Sequence, residues 1–368
     1  MVPAPTTGRI LRRRAATQFL TSSPATTGAE VVQRLLAVQA QDAPMAAWSL
    51  GMRMRAGTTY EDVLAEQAAG GWLRTHVLRP TWHLVAPEDL RWLQRLTGAA
   101  VERSLAARHR QLGLDERARD RAVDALRELL TGAPAPTRRE LTAAFAERGL
   151  PSSGEQVGHQ LLVAELRAVV CSGPPRRGEH TYVLVDEVVP ESPDDDLAAE
   201  EARTRLVRRF MAGHGPATDR DLARWSTLNL GQVRAALAVL ADKLDSERVG
   251  ADRLWFDPGV AARTTRRPGA LLVPAFDEVT LTYRDHGFRR RDPTSARPRI
   301  VNAIGGGTLV LGDEDVAAGR RTVTSDRVEV TVAPDTPLAA TEVDAVEAAA
   351  ARLARFLGRR LDLRIADG

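Results

Sequence analysis

A helix-turn-helix pattern closed by a hairpin recurs along this chain, and that recurrence limits the possible architectures more than any single motif does. The clearest copy lies between Glu201 and Pro258. Ala202 to Met211 reads as an amphipathic helix ended by Gly213-His214-Gly215-Pro216, and Thr218 stands where an N-cap belongs. Asp219 to Trp225 makes a short second helix and Thr227-Leu228-Asn229-Leu230 a turn. Gly231 to Leu244 makes a third helix, with Val233, Leu237, Leu240 and Leu244 on one stripe. Glu247 to Phe256 closes the unit as a hairpin. A degenerate copy lies upstream, where Thr137-Arg138-Arg139-Glu140-Leu141 parallels Thr218-Asp219-Arg220-Asp221-Leu222 and Gln156-Val157 parallels Gln232-Val233. Its hairpin is Val169-Val170-Cys171 with Tyr182-Val183-Leu184-Val185, joined through 173–178. A third copy fits residues 10–87, with helices through Val31 to Leu36 and near Tyr60 to Gln67, and strands at Trp72 to Leu78 and Thr81 to Val85. Tandem winged helices follow from this repetition, rather than one helical domain.

Past Pro258 the pattern changes to short strands at Leu271 to Val273, Thr280 to Tyr283, Thr308 to Leu311, Arg321 to Thr324 and Val328 to Val332. A helix from Thr341 to Leu357 and a last strand at Leu361 to Ile365 complete a small β-barrel or curled sheet with one helix on it. Linkers at 192–196 and 264–269 mark boundaries. The expected division is 1–88, 89–196 and 197–262 for three winged helices, and 263–368 for the barrel-like domain. The fold class is therefore mainly α with β (α+β). At 368 residues the chain is too long for one ordinary core, and 43% hydrophobic with 27% charged residues describes a soluble globular protein. No apolar run approaches the length of a membrane span and no signal-peptide core opens the chain, so a cytoplasmic protein is expected. A lone Cys171 excludes an intrachain disulfide and a cysteine-based zinc site.

Two glutamines, Gln39 and Gln41, interrupt the otherwise apolar run from Leu35 to Ala43. Residues i and i+2 share a face on an extended chain but lie about 200° apart on a helix, so both amides address one site only if the backbone leaves helical geometry. Pro44 supports that, because it disfavours helix at the residue before it. Two further segments are distinctive: Arg74-Thr75-His76-Val77-Leu78-Arg79-Pro80-Thr81-Trp82-His83-Leu84-Val85, and 271–285, which contains Pro274-Ala275-Phe276-Asp277-Glu278 and Tyr283-Arg284-Asp285. Together the three resemble the AlkZ-like family of bacterial winged-helix DNA glycosylases, over nearly the whole chain from about residue 9.

The resemblance implies three winged helices in a concave arrangement around duplex DNA. It assigns Gln39 and Gln41 to the family's catalytic Gln-aliphatic-Gln motif, with Ala40 in the small apolar slot. The implied reaction is hydrolysis of the N-glycosidic bond of N7-alkylated purines, including guanines tied into interstrand crosslinks, by a monomer without cofactor or metal. Alkylation at N7 makes the base cationic, so it leaves neutral and needs no strong general acid. What remains is to orient water and to stabilise the developing oxocarbenium, and a carboxamide oxygen suits both. Lys243 is the single lysine among 51 Lys plus Arg, which argues against Schiff-base lyase chemistry. The full Gln-Ala-Gln motif favours the branch that protects cells from DNA-alkylating natural products. Pro80 stands where the family has glycine, which puts the shape of that turn in doubt.

His83 is the better of two histidine candidates for contact with DNA or the lesion; His76 is the other. With formal charge only +3, any basic surface must be local, and Arg12, Arg13, Arg289, Arg290 and Arg291 are the candidate backbone contacts. Asp42, beside Gln41, reads as a turn or cap residue. Asp277, Tyr283, Arg284 and Asp285 read as structural ion-pairing groups between barrel and winged helices. No His-x-Glu or His-Glu-x-x-His is present, so metal catalysis has little support. Two rival readings are a non-catalytic winged-helix regulator, reading bases through Gln232, Arg234 and Lys243, and a protein that sequesters the alkylating agent.

Overall fold

The computed structural model describes residues 8–21, 25–176, 179–260, 269–285, 287–296 and 304–366; the linker expected at 264–269 lies, except for Gly269, outside the described residues. Side chains that bond back to their own helix define the repeat. Thr137 with Glu140, and Ser153 with Gln156, form reciprocal capping boxes at the starts of Arg138–Glu147 and Gly154–Leu166. Thr218 with Asp221, and Asn229 with Gln232, do the same for Asp219–Ser226 and Leu230–Val239. Each box satisfies N–H groups that a first helical turn leaves without partners. In both units the hairpin then returns to the point where this helix pair begins. Thr137 bridges to Thr181 in the hairpin Val170–Arg176/Glu179–Leu184, and Ala217 bridges to Trp255 in Asp245–Val249/Asp252–Phe256.

The N-terminal unit has helices Gly8–Thr17, Gly28–Leu35, Ala43–Gly51 and Tyr60–Ala68 and a three-stranded antiparallel sheet, with Trp82–Val85 between Val38–Gln39 and Leu73–His76. Two long helices, Pro87–Ser104 and Glu116–Leu130, carry the chain into the second unit. The C-terminal strands form a six-stranded sheet. Its path runs Arg360–Ile365, Arg327–Pro334, Glu314–Val323, Gly306–Leu311, Ala270–Pro274, with Arg289–Arg290 pairing in parallel to Glu314–Val323. Helix Ala340–Leu357 covers it with Val346, Ala350, Leu353 and Leu357.

Four local expectations are corrected. Thr280 to Tyr283 is no strand, because Asp277 caps the short helix Glu278–Leu281 by accepting the Val279 N–H at 2.9 Å. The third helix of the third unit stops at Val239, so Lys243 sits in the turn that follows it. Pro44 lies within the first turn of Ala43–Gly51, a position that lacks a helical N–H partner in any case, and so it opens that helix. The strand expected from Thr308 begins two residues earlier, at Gly306; a Cβ on Gly307 would stand 2.5 Å from the Val273 carbonyl oxygen.

Buried side chains of the first unit, the third unit and the sheet form one continuous apolar cluster, whereas the second unit has its own around Phe145, Leu126 and Val163. Close helix contact makes the shared core possible: at Gly213 a Cβ would lie 2.2 Å from the Arg34 carbonyl oxygen, so Ala199–His214 rests directly on Gly28–Leu35. Inside this core Arg53 and Asp277 are both fully buried and pair in a bidentate fashion at 2.8 Å. The same guanidinium donates to the Gln18 and Ser49 carbonyls and to the Gln18 side chain, at 3.0, 2.8 and 3.0 Å. Arg14, also buried, pairs with Asp285 at 2.8 Å and lies over the Tyr283 ring.

Two outcomes follow. Asp277→Ala would leave the Arg53 charge buried without its counter-ion, which costs on the order of 3–5 kcal/mol, read as a lowered denaturant midpoint. His214 donates from Nε2 to the Leu35 carbonyl at 3.0 Å, and burial pushes its pKa from 6.5 down to about 3. The unfolded chain therefore takes up a proton below about 6.5 that the folded chain takes up only near 3. Stability from this group is complete above that upper value and falls as pH drops, by about 1.4 kcal/mol per pH unit. A His214→Gln variant should show a shallower loss of thermal midpoint between pH 6 and 4.

Candidate active site

The two-residue strand Val38–Gln39 exists because the chain turns sharply before it. Leu36, fully buried, ends helix Gly28–Leu35 with φ of 66°, a left-handed conformation costly for a leucine. Burying its side chain offsets that strain, at roughly 1.5–3 kcal/mol for a leucine. Gln39 then pairs with His83 and Val38 with Leu84, and the Ala40 N–H continues the ladder onto the Trp82 carbonyl at 2.6 Å. The strand ends there, and Gln41 lies at the bend that leads into helix Ala43–Gly51.

The main chain here is held from three directions. The Gln39 N–H donates to Glu278 Oε1 at 2.9 Å, and the Trp225 indole donates to Glu278 Oε2 at 2.7 Å. The carboxylate is completely buried, and burial raises its pKa above the usual range. Arg74 donates twice to the Ala40 carbonyl, at 3.1 and 3.0 Å, and its guanidinium lies 4.1 Å from the centre of the Trp82 ring. Trp82 in turn packs on His76 and His180. On the other flank Asp42 pairs with Arg321 at 3.2 Å, and Arg321 also donates to the Gly306 carbonyl, which ties the end of the motif to the sheet.

Arg79 completes the site. It lies in the loop between the two hairpin strands, just after Leu78, another buried leucine with positive φ. Its Nη2 donates to Gln39 Oε1 at 2.9 Å and meets His83 Nε2 at 3.2 Å, while His83 Nδ1 lies 2.9 Å from the Thr81 carbonyl. Burial, with Arg79 adjacent, holds the His83 pKa well below 6.5, so the ring is neutral. Gln41 Oε1 is buried and has no hydrogen-bond partner among the described residues.

The structure thus brings Gln39 and His83 together across the strand pair and through Arg79, and His83 is fully buried, bonded to Arg79 and the Thr81 carbonyl. The arginine candidates are engaged within the protein. Arg12 pairs with Asp313 at 3.1 Å, and Arg13 lies 3.5 Å over the Phe256 ring. Arg289 pairs with Glu314, Arg290 with Asp335 at 3.8 Å, and Arg291 with Glu314 and Glu342 at 2.9 and 2.7 Å. Several arginines outside the expected set are exposed and in no ion pair among the described residues, including Arg220 and Arg224, four apart on Asp219–Ser226, and Arg284. Only the i, i+4 spacing of the first two was visible beforehand. Of the base readers a regulator would need, Gln232 is held in the Asn229 capping box and Arg234 pairs with Asp219 at 2.7 Å. Among the described residues no three His, Cys, Asp or Glu side chains are grouped to hold a metal, and no helix is long and apolar enough to cross a membrane.

Residues 32–356 match the family model described as DNA glycosylase AlkZ-like. The chain is 26% identical over 366 residues to an interstrand DNA cross-link repair glycosylase of Streptomyces sahachiroi, covering 95% of this chain and 96% of that protein. It is similar to the solved structure of the Streptomyces sahachiroi DNA glycosylase AlkZ with a TM-score of 0.72 and 25% identity, over 98% of this chain and 99% of the other.

Glu278→Gln preserves shape but replaces one acceptor oxygen with a donor, and both oxygens face N–H groups. The outcome expected is a loss on the order of 3 kcal/mol, measured by denaturant unfolding. An unchanged midpoint would show that this carboxylate does not anchor the strand.

Proposed function

The chain belongs to the AlkZ-like DNA glycosylase family, and from that premise we propose that it is a monofunctional glycosylase that hydrolyses the N-glycosidic bond of N7-alkylated purines and unhooks interstrand crosslinks. The observation that carries this reading is the buried, unpartnered Gln41 Oε1 two residues beyond a Gln39 whose own oxygen is held by Arg79. A free carboxamide oxygen accepts a hydrogen bond from water and places negative dipole near a developing oxocarbenium, yet it is too weak a base to attack an unmodified nucleoside. In the proposed step the C1′–N9 bond breaks and its electron pair passes into the cationic purine, which leaves neutral. The water oxygen bonds to C1′ and its proton passes to solvent, leaving an abasic site. Lys243 is the single lysine of the chain, which supports base release without strand cleavage.

Phosphate contact is assigned to Arg220, Arg224 and Arg284 and to the partly exposed Arg12 and Arg289; Arg13, Arg290 and Arg291 act by holding the hairpin and sheet in place. A crosslinked guanine is not free to flip out of the duplex, so an open site suits this substrate. The relative's name as a cross-link repair glycosylase supports that substrate class, and self-resistance to a DNA-alkylating natural product is the physiological role it fits. The work is done by a monomer without cofactor.

The test is incubation with duplexes carrying N7-methylguanine or a crosslink, beside a Gln39→Ala/Gln41→Ala double variant, scored as free base and alkali-sensitive sites. Wild-type release that falls by about 10²-fold or more in the variant is expected. No release from either substrate by a protein that still binds DNA would replace this reading with a non-catalytic regulator.

A further inference from the structure

We propose that Arg79 is a positioning residue that gives the two glutamines unequal tasks, turning Gln39 so that its NH₂ group faces the substrate and leaving Gln41 to supply the acceptor oxygen for water. The inference rests on the glycosylase reading and deepens it. Its physical basis is the polarity of one hydrogen-bond chain. A carboxamide has a donor end and an acceptor end of nearly equal shape, and rotation by 180° exchanges them. A guanidinium only donates, so the Gln39 atom that Arg79 touches at 2.9 Å is the oxygen. The NH₂ therefore points away from Arg79. The far end of the chain is fixed in the same way, because a main-chain carbonyl only accepts. His83 donates from Nδ1 to the Thr81 carbonyl at 2.9 Å, which leaves the Nε2 lone pair free to receive Arg79 at 3.2 Å. From Thr81 to Gln39 every hydrogen has one allowed place.

The placement of Arg79 has no simpler structural account. Its Nε is buried without a partner, and among the described residues no carboxylate lies within ion-pair distance of it. Glu278 acts on it as an opposing charge at longer range, while the exposed Arg224 acts against it. A buried cation with such weak compensation is costly, unlike Arg53, whose guanidinium is fully paired. Its specific side-chain bonds are to the Gln39 oxygen and to His83, and the first sets the orientation of Gln39. Gln41 lacks any comparable contact through Oε1, so the roles divide: Gln39 donates to an oxygen of the lesion nucleotide, and Gln41 accepts from the attacking water.

The experiment is a mutant cycle on the full chain. Single-turnover release of N7-methylguanine is measured for wild type, Arg79→Met, Gln39→Ala and the double variant, with the DNA concentration for half-maximal rate and the thermal midpoint recorded for each. Arg79→Met should lower the maximal rate by roughly 30- to 100-fold, with the half-maximal DNA concentration moving less than about two-fold. In the Gln39→Ala background the same substitution should change the rate by less than about two-fold, because its effect passes through the missing amide. A structural or DNA-binding role would instead lower both backgrounds by the same factor, and that result overturns the proposal. Should Arg79→Met fail to fold, Arg79→Lys, which keeps a cation and a donor, is read in the same cycle and should recover part of the wild-type rate. Wild-type protein that releases no base would overturn the glycosylase reading itself, and with it this one.

Discussion

Everything at the candidate site depends on one buried carboxylate. Glu278 accepts the Gln39 main-chain N–H with one oxygen and the Trp225 indole with the other, so it joins the glutamine strand of the first unit to a helix of the third. It is itself presented by the short helix that Asp277 caps, and Asp277 is fixed by Arg53. Two adjacent acidic residues thus hold three parts of the molecule together, one through an ion pair and one through neutral donors. Burying a carboxylate without a directly paired cation is costly, and here the cost is met by N–H groups aimed at both oxygens. Apolar packing alone gives no such directional fixation of a two-residue strand.

The arginine-rich composition acquires a structural meaning in this frame. Lysine at position 53 carries only three donors on one nitrogen and has no fork to match Asp277, so it would leave some of the Gln18 and Ser49 groups unsatisfied. Arg74 uses its flat face on Trp82 and its edge on the Ala40 carbonyl at the same time, which an ammonium group does not do. A formal charge near neutrality hides this division of labour. Around the site Arg53, Arg74, Arg79 and Arg321 are all bonded within the protein.

The repeat was legible in the sequence because its signals are local. Thr218 as a cap, the glycine-proline stop and the hairpin alternation all act within a few residues, and each reappears in the structure with its hydrogen bonds. The spacing of the glutamines carried part of their geometry, since the chain does leave the helix before them and Gln39 pairs on a strand, while Gln41 falls at the bend that follows. What stayed hidden depends on distant partners. Thr280 to Tyr283 alternates as a strand would, and only the side chain of Asp277, itself held by Arg53, makes that segment begin as a helix. His83 reads as a ligand-facing histidine until the fold buries it, and nothing in the local pattern singles out Arg79 from the other arginines. The glutamines are thus visible as a motif, whereas the groups that orient them are visible only in three dimensions.

The Gln39–Glu278 bond has a consequence in time as well as in space. Its partners are 239 residues apart, and the Arg53–Asp277 pair spans 224. During synthesis from the N-terminus the glutamines leave the ribosome early, while the acidic pair that gives them a shape is still untranslated. The second unit closes its own core from nearby residues and is complete long before that. A nascent chain therefore holds all the residues of the second unit's core before it holds the anchor of the glutamine strand. The glutamine strand gains its Glu278 anchor only when the C-terminal segment has been made and has docked back onto the beginning of the chain.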